Sequence, residues 1–195
     1  VALDRTKWQV IGPTFWVNNE QQVYLDDPET LQLLPPGTVE GAQGGVLSLQ
    51  PRFRKGVRTP AGRVADFVSG RIESKGKFEF THGRAVARIR MPDAVGVWPA
   101  FWLLGNGKWP DTGEIDIMEY VGEADWTGVA IHGPGYSGDT PLVDRQFFPP
   151  GTDVTDWHEY AVEWTPDAIR FEVDGRLTYR ATRPMVEHYG RWVFE

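Results

Sequence analysis

Three carboxylates fall within six residues in the segment from Gly113 to Tyr120, which reads GEIDIMEY. Glu114, Asp116 and Glu119 are interleaved with apolar side chains, a pattern that predicts a β-strand with one buried face. Like charges crowded on one face push pKa values apart, so one acid can stay protonated beside an ionised partner. A protonated acid beside a carboxylate is the pair of groups that cleavage of a glycosidic bond requires.

A regular strand would not place all three acids on one face. Because side chains alternate, Glu119 would lie with Ile115 and Ile117 on the buried face, at a cost of several kcal/mol. One extra residue at Ile117 or Met118, a β-bulge, returns Glu119 to the face of the other two acids. The Cα atoms of the two glutamates would then lie about 13 Å apart, at roughly 3.3 Å per residue. Side chains leaning together could close that gap to the roughly 5–5.5 Å that retaining glycosidases require.

The alternative interpretation is an exposed acidic strand whose charges serve solubility. The tryptophans upstream argue against it, because Trp98, Trp102 and Trp109 precede the acids within sixteen residues. Flat indole rings beside a cleft stack on sugar rings, although tryptophans in such folds also fill cores. The combination favours a carbohydrate-cleaving site.

The elements that must position these residues are short strands. Nine Trp, 22 Gly and 15 Pro in 195 residues indicate many short segments between turns, which is typical of an all-β sandwich or barrel. Asp174-Gly175 between alternating runs predicts a hairpin, whereas residues 51–66 lack periodicity and predict a surface loop. A helical turn is expected around 183–189. No linker or repeat divides the chain, so we expect one domain over residues 1–195.

Charge and composition exclude several classes of partner. The chain has 20 basic against 27 acidic residues, a net charge of −7, which argues against nucleic acid and anionic membrane as partners. No apolar run approaches eighteen residues, so no transmembrane helix is expected. The absence of cysteine excludes a thiol nucleophile and a thiolate metal site. The sequence leaves open whether any metal binds.

The segment from Gly113 to Gly122 (GEIDIMEYVG) resembles the signature of glycoside hydrolase family 16, a Glu-x-Asp-x-x-Glu motif on a bulged strand. Four further segments resemble the laminarinase branch of that family: WPAFWLLG at 98–105, SGRI at 69–72, NNE at 18–20 and HGPGYSG at 132–138. Met118 is the extra residue that the lichenase and xyloglucan branches lack. The resemblance implies a curved, concanavalin-like jelly-roll sandwich of antiparallel sheets.

The resemblance also implies roles. Glu114 would be the nucleophile, Glu119 the general acid/base, and Asp116 would hydrogen-bond between them, in an endo-acting enzyme that hydrolyses internal β-1,3-glucosidic bonds with retention. The residues that would contact substrate are Asn18, Asn19, Arg71, Trp98, Trp102, Trp109 and His132. For several of these a structural role competes: a surface ion pair for Arg71, turn formation for the two asparagines, and loop positioning for His132. The remaining tryptophans, Trp8, Trp16, Trp157, Trp164 and Trp192, are expected mainly in or around the core.

Further expectations follow from the same resemblance. The partner would be a β-glucan polysaccharide or oligosaccharide, no cofactor would be required for the chemistry, and the protein would be a secreted monomer. A structural calcium ion is possible in the family, but this chain does not support it, because the ligands lie largely in terminal segments. The chain is expected to lack strands of the family domain at both ends.

Two alternatives stay open. An enzyme with the same fold and mechanism could prefer mixed-linkage glucan or a galactan, or could transfer the sugar to another sugar instead of water. A protein on the same sandwich could also bind glucan without cleaving it, although such proteins have lost the acids that this chain retains at Glu114, Asp116 and Glu119.

Overall fold

The computed structural model describes residues 2–195, which contain fifteen strands, one 3₁₀ turn at Arg183–Met185 and no α-helix. The strands are β1 Gln9–Val10, β2 Gln22–Tyr24, β3 Leu31–Leu34, β4 Val46–Leu49, β5 Arg52–Arg58, β6 Val64–Ser69, β7 Ile72–Glu73, β8 Gly83–Ile89, β9 Ala100–Leu104, β10 Glu114–Glu119, β11 Trp126–His132, β12 Leu142–Phe147, β13 His158–Trp164, β14 Ile169–Val173 and β15 Arg176–Ala181. Over this range, no helix has the length and apolar character needed to cross a membrane.

The residues group into two compact units, of which the first ends at Glu79 and the second is Phe80–Glu195. The first unit holds three small sheets, ordered β1-β7, β2-β6-β5 and β3-β4. Strand β2 runs parallel to β6, whereas the other pairs in this unit are antiparallel. The expectation of a single domain stays a prediction.

The loop predicted for residues 51–66 is wrong, because most of it forms β5 and the start of β6. Strand β5 pairs with β6 alone in its sheet, and six of its seven residues are exposed. With neither face buried, the sequence has no reason to alternate between polar and apolar residues. The periodicity on which the prediction depended is therefore absent from a real strand.

The second unit is a sandwich of two antiparallel four-stranded sheets, ordered β12-β11-β10-β9 and β15-β14-β13-β8. Alternate residues of both sheets point inward and form one hydrophobic core. Its members include Ile115, Ile117, Met118, Val129, Ile131, Tyr160, Val162, Ile169 and Phe171. The predicted all-β antiparallel architecture is confirmed, and the first of these sheets carries the three acids.

Local features of the second unit also agree with the sequence. Asp174 and Gly175 join β14 to β15 with φ angles of 51° and 74°, the geometry of a type I′ hairpin turn. Among the tryptophans expected in the core, Trp192 is buried in it and Trp164 packs against it. The expectation is wrong for Trp8 and Trp16 of the first unit, whose side chains are exposed.

Candidate active site

The three acids lie on β10, an inner strand of its sheet, where a β-bulge interrupts the pairing. Asp116 lies opposite Trp102 of β9 and Glu119 opposite Ala100, so three residue steps on β10 match two on β9. The pairing with β11 shifts in the same way. The extra residue lies between Asp116 and Glu119, as the sequence analysis predicted, and it turns Glu119 to the face of the other two acids. We call this face of the sheet the acid face.

Burial on the opposite face explains why the bulge is needed. Ile115, Ile117 and Met118 are at most 2% exposed and belong to the core of the sandwich. Two consecutive apolar side chains can both enter the core only because the bulge breaks the strict alternation. Packing of these side chains in the core thus fixes the backbone of β10, and the acids lie on its opposite face. Glu119 is therefore not buried among apolar neighbours.

Two tryptophan indoles hold the two glutamates. The Nε1 of Trp109 donates a hydrogen bond to Glu114 Oε2 at 2.6 Å, and the Nε1 of Trp98 donates to Glu119 Oε1 at 2.8 Å. Both tryptophans are about half exposed, so each ring is fixed at its nitrogen and still open to a ligand. Trp102 is partly buried and lies opposite Asp116. All three rings were predicted from the sequence to lie at the site, but these hydrogen bonds were not.

Asp116 is the most deeply buried of the acids, at 4% exposure. Burial raises its pKa to about 7, and the charges of Glu114 and Glu119 add to the rise, although a hydrogen bond with His132 opposes it. His132 Nε2 lies 3.3 Å from Asp116 Oδ2. Below neutral pH, Asp116 therefore stays protonated and adds no third negative charge to the site.

Two other groups of the site have shifted pKa values. Burial raises the pKa of Glu119, and the charge of Glu114 adds to this, although the hydrogen bond from Trp98 and the charge of His132 oppose it. Burial alone would lower the pKa of His132, but the hydrogen bond to Asp116 and the three neighbouring carboxylates outweigh it, and the net shift is upward. The site thus retains protons to a higher pH than isolated side chains would.

These shifts predict a pH dependence of stability. An unfolded aspartic acid titrates near pH 4, so between that pH and about 7 the folded protein binds more protons through Asp116 than the unfolded chain does. The stabilisation is complete below about pH 4 and is lost as the pH rises through 7. Relative to Asp116→Asn, which cannot ionise, the wild type should lose on the order of a few kcal/mol of unfolding free energy across this range. Urea unfolding of both proteins from pH 4 to 8 measures it, and a difference that is constant with pH would contradict the assignment.

Gly113 begins the acid strand in a conformation that side chains rarely adopt. Its φ is +80°, and a Cβ there would lie 2.6 Å from the ring of Phe194 and 3.0 Å from Val193. The amide of Gly113 donates to the Pro110 carbonyl, and its own carbonyl accepts from Gly105. This glycine therefore lets the chain turn tightly against the core just before Glu114.

Gly113→Ala should destabilise the protein by about 2 kcal/mol or more, because it combines backbone strain with a clash. The matched control is Gly138→Ala, where φ is +62° but no atom lies within 4 Å of the added Cβ. Urea unfolding should show the larger loss for Gly113→Ala. Equal losses for the two variants would mean that the contact with Phe194 is unimportant.

Gln146, a buried polar residue of β12, lies behind the bulge and was not among the residues predicted from the sequence. Its Oε1 accepts a hydrogen bond from Thr178 Oγ1 at 2.8 Å, and its Nε2 lies 3.5 Å from the carbonyl oxygen of Ile117. Ile117 has no partner in the ladders to either neighbouring strand. Gln146 therefore gives a buried backbone carbonyl of the bulge a polar neighbour. In the sequence it lies between Arg145 and Phe147, which gives no signal that its side chain is buried.

The other predicted substrate residues lie in the first unit. Asn18 and Asn19 both have φ near +53° and form a turn between β1 and β2, the competing structural role. The Arg71 guanidinium lies 3.4 Å from the Glu73 carboxylate and 4.4 Å from the centroid of the Phe15 ring. Contact of these three residues with substrate stays a prediction.

Within residues 2–195, one group of side chains has the geometry to hold a metal ion: Glu114, Asp116 and His132, whose ligand atoms lie within 4.8 Å of one another. Calcium prefers a shell of six to eight oxygen atoms. A site with an imidazole and two carboxylates, one of which holds a proton below pH 7, does not fit it. The structural calcium of the family is not assigned to these residues.

The second unit is thus an antiparallel sandwich in which partly exposed tryptophans hold the glutamates of the acid face. Residues 14–191 match the family described as glycosyl hydrolases family 16. The chain belongs to this family.

Three similar proteins show which members of the family this chain resembles. A beta-glucanase of Rhodothermus marinus is 36% identical over 187 residues, covering 91% of this chain and 60% of the relative. A beta-1,3-glucan-binding protein of Penaeus monodon is 33% identical over 127 residues, covering 56% of this chain and 34% of the relative. The laminarinase catalytic domain of Thermotoga maritima MSB8 is similar in structure, with a TM-score of 0.86 and 32% identity, covering all of this chain and 78% of that one.

These comparisons confirm the jelly-roll fold class and the resemblance to the laminarinase branch. The chain spans about 60% of the length of the Rhodothermus beta-glucanase.

Proposed function

We propose that this protein is a retaining endo-glycosidase that hydrolyses internal β-1,3-glucosidic bonds of laminarin-type glucan. The observation that carries the proposal is the bulge on β10, which brings three carboxylates onto one face of the sheet. The hydrogen bonds from Trp109 to Glu114 and from Trp98 to Glu119 support it, because they fix the two glutamates that would react.

In the first step, Glu114 attacks the anomeric carbon of the glucosyl unit bound over it. Glu119 gives its proton to the glycosidic oxygen as the bond from that oxygen to the anomeric carbon breaks. The products are a glucosyl ester of Glu114 and a shortened chain that leaves with the proton. The upward shift of the Glu119 pKa suits this role, because the carboxyl group keeps its proton closer to neutral pH.

In the second step, the Glu119 carboxylate takes a proton from water, and the water oxygen attacks the anomeric carbon from the side that the leaving chain has vacated. The ester to Glu114 breaks, and both glutamates return to their starting protonation states. Two displacements at one carbon retain its configuration. Asp116, protonated below about pH 7, places a neutral carboxyl between the two glutamates and limits charge repulsion there.

The remaining assignments follow the same proposal. Trp98, Trp102 and Trp109 border the reacting sugar, and His132 orients Asp116 through the contact between Nε2 and Oδ2. None of the steps requires a cofactor. We expect the protein to act outside the cell as a monomer, where polymeric glucan is accessible.

The test is the release of reducing ends from laminarin, compared with a mixed-linkage β-glucan and agarose. We expect short β-1,3-linked oligosaccharides from laminarin and lower turnover of the other two. Preferential cleavage of mixed-linkage glucan or agarose would contradict laminarin-type glucan as the substrate, but it would not contradict the mechanism.

A second candidate function is glucan binding without cleavage, which the similarity to the Penaeus glucan-binding protein favours. The three acids and their tryptophan partners support the hydrolase, since binding alone does not need a protonated acid beside a carboxylate. A folded protein that retains laminarin in affinity electrophoresis but releases no reducing ends would favour the binding function.

A further inference from the structure

The acid face continues past Glu119 into a cleft of about 380 Å³. This volume lies within the range of pockets that hold small ligands, roughly 300–1,000 Å³. Residues that line it include Glu119, Val121, Trp126, Gly128, Val143 and Arg145. Except for Glu119, none of these residues is part of the machinery described above.

Strand register explains why the cleft exists. Glu119 of β10 lies opposite Gly128 of β11, and Gly128 lies opposite Arg145 of β12. The three residues form one row across the sheet, and its central position has no side chain. Since neighbouring strands are about 4.8 Å apart, the row places Arg145 two strand spacings, roughly 10 Å, from Glu119 at the Cα atoms. We call this gap the Gly128 trough.

The far end of the trough carries a charge held in place by an aromatic ring. The Arg145 guanidinium lies 4.3 Å from the centroid of the Trp126 ring, and Trp126 Nε1 donates to Glu123 Oε2 at 2.6 Å. Only 8% of Trp126 is exposed, so its ring lines the side of the trough and does not offer an open face on which a sugar ring could stack. No ion pair involves Arg145 within the described residues. Its donors can therefore serve a bound ligand.

We propose that the Gly128 trough binds the leaving side of the glucan, the glucosyl units released with the new non-reducing end, and that Arg145 donates hydrogen bonds to their hydroxyl groups. This inference rests on the proposed function. Glu119 protonates the glycosidic oxygen, which belongs to the leaving sugar, so that sugar must contact Glu119. The trough begins at Glu119 and leads away from it across β11 and β12. Its polar end and apolar walls suit an uncharged sugar ring.

Gly128 offers a direct test, because a side chain there would fill the trough at little cost to the fold. A Cβ would meet its nearest atoms, in Trp126 and the Glu119 carbonyl, at ordinary distances of 3.7 and 3.8 Å. Gly128→Val should lower kcat/KM for laminaripentaose at least about tenfold, and Gly128→Ala should lower it less. Neither variant should change kcat for β-laminaribiosyl fluoride, whose single-atom leaving group does not enter the trough.

Arg145→Ala tests the far end, with an expected rise in KM for laminaripentaose of about tenfold. The control is Arg180→Ala, an exposed arginine of β15 in the other sheet. Melting temperatures of all variants establish that they fold.

Different results would contradict the proposed hydrolase function and the proposed leaving-side subsite. A wild type that cleaves neither substrate would contradict the proposed function. Equal losses on laminaripentaose and the glycosyl fluoride in Gly128→Val, or unchanged pentaose kinetics in both Gly128→Val and Arg145→Ala, would overturn the trough as the leaving-side subsite.

Discussion

Glu114→Gln should lower the turnover of laminarin at least about a thousandfold, because the amide cannot form the glucosyl ester through which the reaction proceeds. The amide has almost the size of the carboxyl group, so its Oε1 can still accept the hydrogen bond from Trp109. We therefore expect the fold and the binding of glucan to persist. Initial rates of reducing-end release at substrate saturation measure the effect.

The matched control is Glu187→Gln, an exposed glutamate with no ion pair among the salt bridges of the described residues. It should retain full turnover with the same change in net charge. Turnover by Glu114→Gln comparable to that of the control would remove Glu114 as the nucleophile.

Glu119→Ala should lower the hydrolysis of laminarin by about 10²- to 10⁴-fold, the usual contribution of a general acid or base. An aryl glycoside with a good leaving group needs little protonation, so it should still form the ester with Glu114. Azide should then restore part of the turnover, because this small anion attacks the ester without a base and can occupy the space that the carboxyl group has left.

The product of the azide reaction distinguishes loss of the acid/base Glu119 from a general loss of activity. Attack by azide on the ester gives a β-glucosyl azide, which mass spectrometry and ¹H NMR identify. Glu119→Gln is the useful comparison, since its side chain fills the space and should respond less to azide. Absence of recovery in Glu119→Ala, or an α-glucosyl azide, would count against the assignment.

The position of the bulge could be predicted from the sequence because two requirements conflict in one segment. Ile115 and Ile117 are apolar and pack in the core, whereas Glu119 is ionisable and must stay out of it. A regular alternation would have placed all three on the same face. A single extra residue resolves the conflict, and the structure has it between Asp116 and Glu119. The prediction depended on burial alone, which local sequence encodes well.

The contacts made by the site residues could not be predicted in the same way. The hydrogen bonds from Trp98 and Trp109 depend on loops and rotamers that bring residues from outside β10 to its two ends. The Gly128 trough depends on register across three strands, and β12 was not predicted. Its residues Val143, Arg145 and Phe147 are exposed, so their alternation carries no strong hydrophobic signal.

The predictions from the sequence that are wrong in the first unit have a related physical cause. Strand β5 is exposed along nearly all its length, and its basic residues gave no periodic pattern. Trp16 was expected near the core, but its Nε1 donates to the Glu20 carbonyl and the Arg63 guanidinium lies 5.2 Å from its ring centroid. A small sheet leaves few fully buried positions, and large side chains are then covered by polar neighbours instead.

The most direct test of the central claim is ¹H NMR of the anomeric protons during the first minutes of laminarin hydrolysis, before mutarotation. Double displacement through Glu114 predicts that the new reducing ends appear first as the β-anomer and that the α-anomer follows slowly. Initial release of the α-anomer would mean a single displacement by water. That result would contradict Glu114 as the nucleophile and Glu119 as the base that activates water.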